Sequence, residues 1–252
     1  MFAVVIASAA LAGCGDDDNG RATSGEGLSG TLTVFAAASL TDAFGALSDM
    51  FEEQHPGVNI EINFAGSSSL AGSILEGAPA DVFASADEAN MRKVVDAAES
   101  PVKPKLFARN LLEIAVPKGN PAEVTGLGNF ADPYLLIGLC SEGVPCGNLA
   151  RQALDKAGVS PALDTNEPDV RALLTKIEAG ELDAGIVYRT DVAAAGGAVG
   201  GVSIPREHNV VATYWIVGLT SANDAELATA FIDFVVSNAG LEILNKLGFL
   251  GP

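Results

Sequence analysis

Val34-Phe35-Ala36-Ala37-Ala38-Ser39-Leu40-Thr41-Asp42-Ala43-Phe44 decides how the chain folds. Thr31–Ala36 is a short apolar run rich in β-formers and predicts a strand. Leu40, Phe44, Leu47 and Phe51 then recur at helical spacing, so a helix follows at once. Ser39 stands at the hand-over. The first amides of a helix have no intrahelical partner, and the aligned peptide dipoles put partial positive charge at that end. A serine hydroxyl adds one more donor, so the junction can hold an anion without a charged side chain. Ordinary N-capping is the competing explanation, because serine caps well.

The same junction recurs in Phe64-Ala65-Gly66-Ser67-Ser68-Ser69-Leu70-Ala71. Val58–Phe64 alternates like a strand, and Leu70–Glu76 reads as a short helix. One such serine favours capping. Two in one α/β unit shift the balance toward an anion site. Working outward, Asp81–Ala84, Leu111–Val116, Tyr134–Leu139, Ala184–Tyr188 and Val210–Leu219 predict strands. Asp87–Ala98, Asn148–Ala157, Val170–Ala179, Ala225–Val236 and Leu241–Leu247 predict helices. This alternation implies an α/β class with mainly parallel sheets.

The first thirty residues are of another kind. Residues 2–13 are apolar or small and end at Leu11-Ala12-Gly13-Cys14, which resembles the lipobox of bacterial lipoproteins. That resemblance implies cleavage before Cys14 and lipidation of it. No Lys or Arg precedes Cys14, so the usual basic start is missing and a start upstream of Met1 is expected. Gly15-Asp16-Asp17-Asp18-Asn19-Gly20 and the Gly/Ser/Thr stretch to Gly30 cannot bury apolar surface and read as a flexible tether. Residues 1–30 are thus expected to be signal peptide and tether.

The net charge of −18 over 252 residues excludes a nucleic-acid partner, which needs a basic patch. It does not exclude a small anion. Oriented amides act over a few ångströms, whereas surface charge is screened within about 8–10 Å at physiological salt. Besides Cys14 there are Cys140 and Cys146. An oxidising compartment favours a disulfide between them, with two free thiols or soft-metal binding as the alternatives. His55 and His208 lie far apart and near loop signals, and there is no Gly-x-Ser-x-Gly elbow. A serine esterase using Ser39 or Ser67 would need one of those histidines beside it. Trp215 reads as core or hinge packing, Asp81 and Asp87 as turn and cap residues, and Arg171 as a partner for an acidic neighbour or for the anion.

The two serine junctions resemble the periplasmic molybdate-binding proteins of ABC importers, a family of non-enzymatic solute-binding proteins. So do Gly77-Ala78-Pro79-Ala80-Asp81-Val82-Phe83-Ala84-Ser85-Ala86-Asp87, Val144-Pro145-Cys146-Gly147, Asp169-Val170-Arg171 and Gly185-Ile186-Val187-Tyr188, in the same order. The similarity runs from Thr31 to Phe249. It implies a two-lobed periplasmic-binding-protein fold of type II, with 31–108 plus 214–252 as lobe one and 109–213 as lobe two. The ligand would lie in the cleft between them. It further implies anion contacts from Ser39 and Ser67, from the backbone amides of Cys146 and Val170, and from the hydroxyl of Tyr188. The family typically has alanine where Cys146 stands. The expected ligand is molybdate or tungstate, with sulfate or another small oxyanion as the alternative. No resident cofactor is expected. The partners implied are a membrane permease and a lipid anchor, for a monomeric protein outside the cytoplasmic membrane.

Overall fold

The computed structural model describes Met1 and residues 27–97, 103–220 and 222–252. Cys14 and its lipobox lie outside the described residues. The first part of the chain runs through β1 (Ser29–Ala37), a 3-10 turn (Ala38–Leu40), α1 (Thr41–Gln54), β2 (Gly57–Ala65), α2 (Ser67–Leu75), β3 (Val82–Ser85) and α3 (Glu88–Ala97). A long strand, β4 (Lys105–Pro117), leads to β5 (Ile137–Cys140), α4 (Pro145–Lys156), β6 (Thr165–Glu167), α5 (Val170–Glu178), β7 (Ala184–Tyr188), α6 (Arg189–Ala194) and β8 (Val199–Ser203). The chain closes with β9 (Val211–Gly218), α7 (Ala225–Val235) and α8 (Asn238–Lys246).

The strands follow the order β2-β1-β3-β9-β4-β7-β5-β6, with β8 beside β4. The expectation of mainly parallel sheets is corrected here. β1 is parallel to β2 and β3, and β5 to β6 and β7, but β9 and β4 are antiparallel to each other and to their other neighbours. The helix-linked strands obey the crossover rule. β4 and β9 instead carry the chain between the two groups. β4 pairs with β9 as far as Leu111 and with β7 and β8 from Leu112 onward.

β1 is buried on both faces, and its alternation divides it between two cores. Val34 and Ala36 join the large cluster with Phe44, Phe51 and Phe231. Phe35 faces the other way, onto Leu70, Phe83, Met91 and Val217. The predicted strand Tyr134–Leu139 shifts to Ile137–Cys140. Asp132 Oδ1 accepts the Tyr134 amide at 2.9 Å, and that turn leaves Tyr134 exposed. β6, β8 and α6 were not predicted; each is six residues or shorter, too short to carry a period.

Asp81 does more than form a turn. It is buried, its Oδ2 accepts the Thr33 amide and its Oδ1 the Asn223 amide, each at 2.8 Å. Its own carbonyl accepts Leu219 N–H at 2.8 Å. One carboxylate thus ties β1 to the exit of β9. Asp81→Ala strands two amides, and denaturant unfolding should show a loss of about 1–3 kcal/mol. A loss below about 0.5 kcal/mol, the range of ordinary surface substitutions, would mean these amides find other partners.

Candidate functional site

The elements aim their ends at one place. The C-terminal ends of β1, β2, β3, β5, β6 and β7 lead directly or through short loops to Ser39, Ser67, Ala86, Cys146, Val170 and Tyr188. All six line a cavity of about 10 Å³, together with Ala37, Ala38, Gly66, Val144, Pro145 and Asp169. Ligands of open α/β sheets occupy this position, beyond the carboxyl ends of the strands. The five residues expected from sequence therefore lie around one cavity.

Neither serine is an N-cap, so the capping explanation does not hold. Gly66 precedes α2 and Ser67 is its first residue; Ser39 sits inside the 3-10 turn, preceded by Ala37. Ala37, Gly66 and Val144 offer the following amides no side-chain acceptor. Three helices that start elsewhere are capped: Asp87 Oδ1 accepts Asn90 N–H at 2.9 Å, Asp224 Oδ1 accepts Leu227 N–H at 2.9 Å, and Ser237 Oγ accepts Gly240 N–H at 3.2 Å. At the cavity the 3-10 turn, α2 and α4 lack a side-chain cap, while α5 keeps one from Asp169. A helix start without a cap is a ready anion site.

The hydroxyls are set up as donors. Ser67 Oγ accepts the Ala86 amide at 3.0 Å, and Ser39 Oγ accepts the Tyr214 hydroxyl at 3.1 Å. Each oxygen is engaged as an acceptor, which leaves its own proton to donate. Tyr188 is 1 % exposed. Its ring centroid is 6.0 Å from that of Tyr214, yet among the described residues its hydroxyl has no hydrogen-bond partner. Burial, with Tyr214 and Asp191 adding to it, raises the Tyr188 pKa well above the usual phenol value, so the group keeps its proton. A buried donor left unpaired costs about 1–3 kcal/mol, which a bound acceptor would recover.

Val170 is the first residue of α5. Asp169 precedes it, and its Oδ1 accepts the amides of Arg171 and Ala172, both at 2.9 Å. The Val170 amide is not part of that cap. Asp169 also lines the cavity, and the sequence reading missed it. Arg171 turns to Asp42, with which it forms an ion pair. Beneath Tyr188, Asp191 Oδ2 accepts the Tyr188 amide at 3.0 Å. Burial raises the Asp191 pKa to about 7, opposed by that hydrogen bond and by Arg171. Tyr214, read from sequence only as part of an apolar run, is the residue that orients Ser39.

Cys140 and Cys146 are joined by a disulfide, their Cα atoms 5.8 Å apart. It ties the end of β5 to the first turn of α4, where Cys146 lines the cavity. Gly147 completes the fit: a Cβ there would lie 2.2 Å from the Ser141 carbonyl and 2.4 Å from that of Cys140. No histidine lines the cavity. His55 packs on Phe51, ring centroids 4.5 Å apart, and His208 lies in the segment leading into β9. Neither serine thus has the base that a hydrolase requires. Trp215 is partly buried in β9, its Nε1 donating to Thr213 Oγ1 at 3.1 Å.

Residues 32–250 match the model of the bacterial extracellular solute-binding proteins. The molybdate-binding protein ModA of Mycobacterium tuberculosis H37Rv is 36 % identical over 245 residues, covering 97 % of this chain and 94 % of that protein. ModA of Escherichia coli K12 is 33 % identical over 261 residues, covering 99 % and 96 %. Among solved structures, the periplasmic molybdate-binding protein of Azotobacter vinelandii superposes with a TM-score of 0.77 at 20 % identity, over 88 % of this chain and 99 % of that one. Its likeness speaks for the fold. Strand order, a cavity beyond the strand ends and a family match across almost the whole body agree: the chain belongs to the bacterial extracellular solute-binding proteins.

Proposed function

We propose that the chain binds molybdate, and tungstate with it, outside the cytoplasmic membrane and delivers it to an ABC permease. The observation that carries this reading is the buried Tyr188 hydroxyl, without a hydrogen-bond partner among the described residues, beside a cavity where three helix starts lack side-chain caps. Such a site offers donors: the hydroxyls of Ser39, Ser67 and Tyr188 and the amides at Cys146 and Val170. A fully deprotonated tetrahedral dianion offers only acceptors. Monohydrogen phosphate brings a proton of its own and needs an acceptor. Asp169 is the carboxylate at the cavity wall, and two amides of α5 hold its Oδ1. Where its Oδ2 does not reach the ligand, the mismatch selects against phosphate by roughly the cost of one unsatisfied polar group, about 1–3 kcal/mol.

In this reading residues 31–108 plus 214–252 form one lobe and 109–213 the other. Ser39 and Ser67 come from the first, Cys146, Val170 and Tyr188 from the second. Only the closed cleft presents all donors together, so the anion favours closure. The motif ending at Cys14 supports a lipid anchor, and the Gly/Ser/Thr-rich sequence before β1, which begins at Ser29 and not after Gly30 as the sequence led us to expect, supports a tether for a monomeric receptor. The relatives named molybdate-binding protein favour molybdate over sulfate, which differs chiefly in size.

Thermal shift against a panel of oxyanions tests the function, since a ligand that binds only the folded state raises its stability by mass action. Molybdate and tungstate should stabilise, sulfate less, and phosphate not at all near neutral pH. Calorimetry of Tyr188→Phe should show a loss of about 1–3 kcal/mol in molybdate affinity with little change in unliganded stability. Phosphate binding as tightly as molybdate would reject the donor-only site, and wild-type affinity in Tyr188→Phe would remove Tyr188 from it. The disulfide gives a separate check. Cys140 and Cys146 should resist alkylation in the native protein until reduced, and reduction should weaken molybdate binding without changing the order of the panel. Two thiols alkylated without reductant would overturn this.

A further inference from the structure

We propose that the ion pair between Asp42 and Arg171 is a latch across the cleft that sets how fast the anion leaves. The inference rests on the two-lobed closure described above. Asp42 lies in the first turn of α1, three residues beyond Ser39, and Arg171 directly follows Val170 in the first turn of α5. Each partner therefore sits beside an expected ligand donor, one from each lobe.

The placement of Arg171 is informative. A cation in the first turn of a helix opposes the helix dipole, whereas Asp42 in the first turn of α1 is favoured by it. Local helix energetics thus explain Asp42 and leave Arg171 unexplained. Its Nε is buried without a hydrogen-bond partner, and its guanidinium reaches across to Asp42. The Arg171 and Asp42 side chains keep 28 % and 52 % of their exposure, so the pair lies at the rim, where solvent can reach it on opening.

Other contacts between the lobes accompany it. Asn90 Nδ2 donates to the Gly143 carbonyl at 3.3 Å, Arg189 Nη2 donates to the Gly248 carbonyl at 3.1 Å, and Gly66 packs so closely on Pro168 that a Cβ would lie 2.6 Å from its carbonyl oxygen. Among these contacts the Asp42–Arg171 pair is the one between opposite charges. It exists only while the cleft is closed, so its strength adds to closure and enters the off-rate rather than the on-rate. A half-exposed pair is worth a few-fold in an equilibrium constant and weakens with salt. That is the right scale for a receptor that must also let go of its ligand.

The test is a double-mutant cycle of Asp42→Asn, Arg171→Gln and the pair together. Calorimetry reads molybdate affinity, stopped-flow fluorescence of Trp215 reads the off-rate, and melting of the unliganded protein reads fold stability. Each single variant should raise the off-rate about two- to fivefold, with little change in the on-rate or in unliganded melting. The double variant should be no worse than either single one, and its off-rate should depend less on sodium chloride than the wild type's. Tighter molybdate binding by Asp42→Asn would overturn the latch, because a freed Arg171 would then be acting on the anion directly. Additive losses, or lowered melting with an unchanged off-rate, would overturn it as well. Compaction of the wild type on binding, read by X-ray scattering, keeps the two readings apart. A wild type that binds none of the panel anions removes the proposed function and this inference with it; one that binds and compacts while the cycle shows no coupling removes the latch alone.

Discussion

Unpartnered amides at helix starts are the constraint on which this structure turns. A backbone donor buried without an acceptor is costly, and the chain meets that cost in two ways. At α3, α7 and α8 a side chain from the preceding turn accepts the orphan amides. At the 3-10 turn, α2 and α4 the preceding residues are Ala37, Gly66 and Val144, which accept nothing through their side chains. The second group faces one cavity, although α5, which also starts there, is capped by Asp169. The three open starts do not follow from composition, since Asp, Asn and Ser are plentiful in this sequence and were available as caps. An open helix start is stable enough if something else supplies the acceptor, and the cavity is where a tetrahedral anion can do so.

The fold exists to bring those starts together. β1 can hand over directly to the 3-10 turn because both of its faces are buried, Val34 and Ala36 on one side and Phe35 on the other. β2 runs parallel to it along nine paired residues, so Ala37 and Ala65 end level and Ser39 and Ser67 emerge side by side. β5, β6 and β7 repeat the arrangement in the other half of the sheet. Between the halves, β4 exchanges β9 for β7 and β8 around Leu111 and Leu112, and Asn209 stitches the exchange by pairing with both backbone groups of Leu112, at 3.0 and 2.8 Å. The connection is continuous in strand yet narrow, a geometry that permits bending at one place.

Much of this was legible in the sequence, for reasons that differ by element. The two serine junctions could be read because strand and helix periods change within a few residues there, at Ala36 to Leu40 and at Phe64 to Leu70. The residues found lining the cavity were picked out through ordered motif blocks, not through any chemistry visible at one position: Val170 and Cys146 are proposed to act through their amides, which every residue possesses. What was hidden depended on distant pairing. β4 and β9 look like any other apolar runs, and only their partners make them antiparallel. Tyr214 holds Ser39 from 175 positions away, and Asp169 reaches the cavity wall through the turn that caps α5. The short β6, β8 and α6 carry too few residues for a period to show.

The remaining tension is charge. A protein of net charge −18 is read as a dianion receptor, and four aspartates, Asp42, Asp87, Asp169 and Asp191, stand near the site with Arg171 among them. The geometry reduces each in turn. Asp169 is drawn into two amides of α5, Asp87 into the Asn90 backbone and side-chain amides, and Asp42 into Arg171. Asp191 is so deeply buried that its pKa rises to about 7, which favours its neutral form far more than a free carboxylate's would. A dianion arriving nearby would push that equilibrium further toward the neutral acid, because like charge disfavours ionisation. The carboxylates that remain lie outside the cavity wall, where solvent screens them within about a Debye length. What the anion meets first is therefore a wall of amide and hydroxyl protons at hydrogen-bond range, and at that distance the sign of the local dipoles outweighs the sign of the molecule.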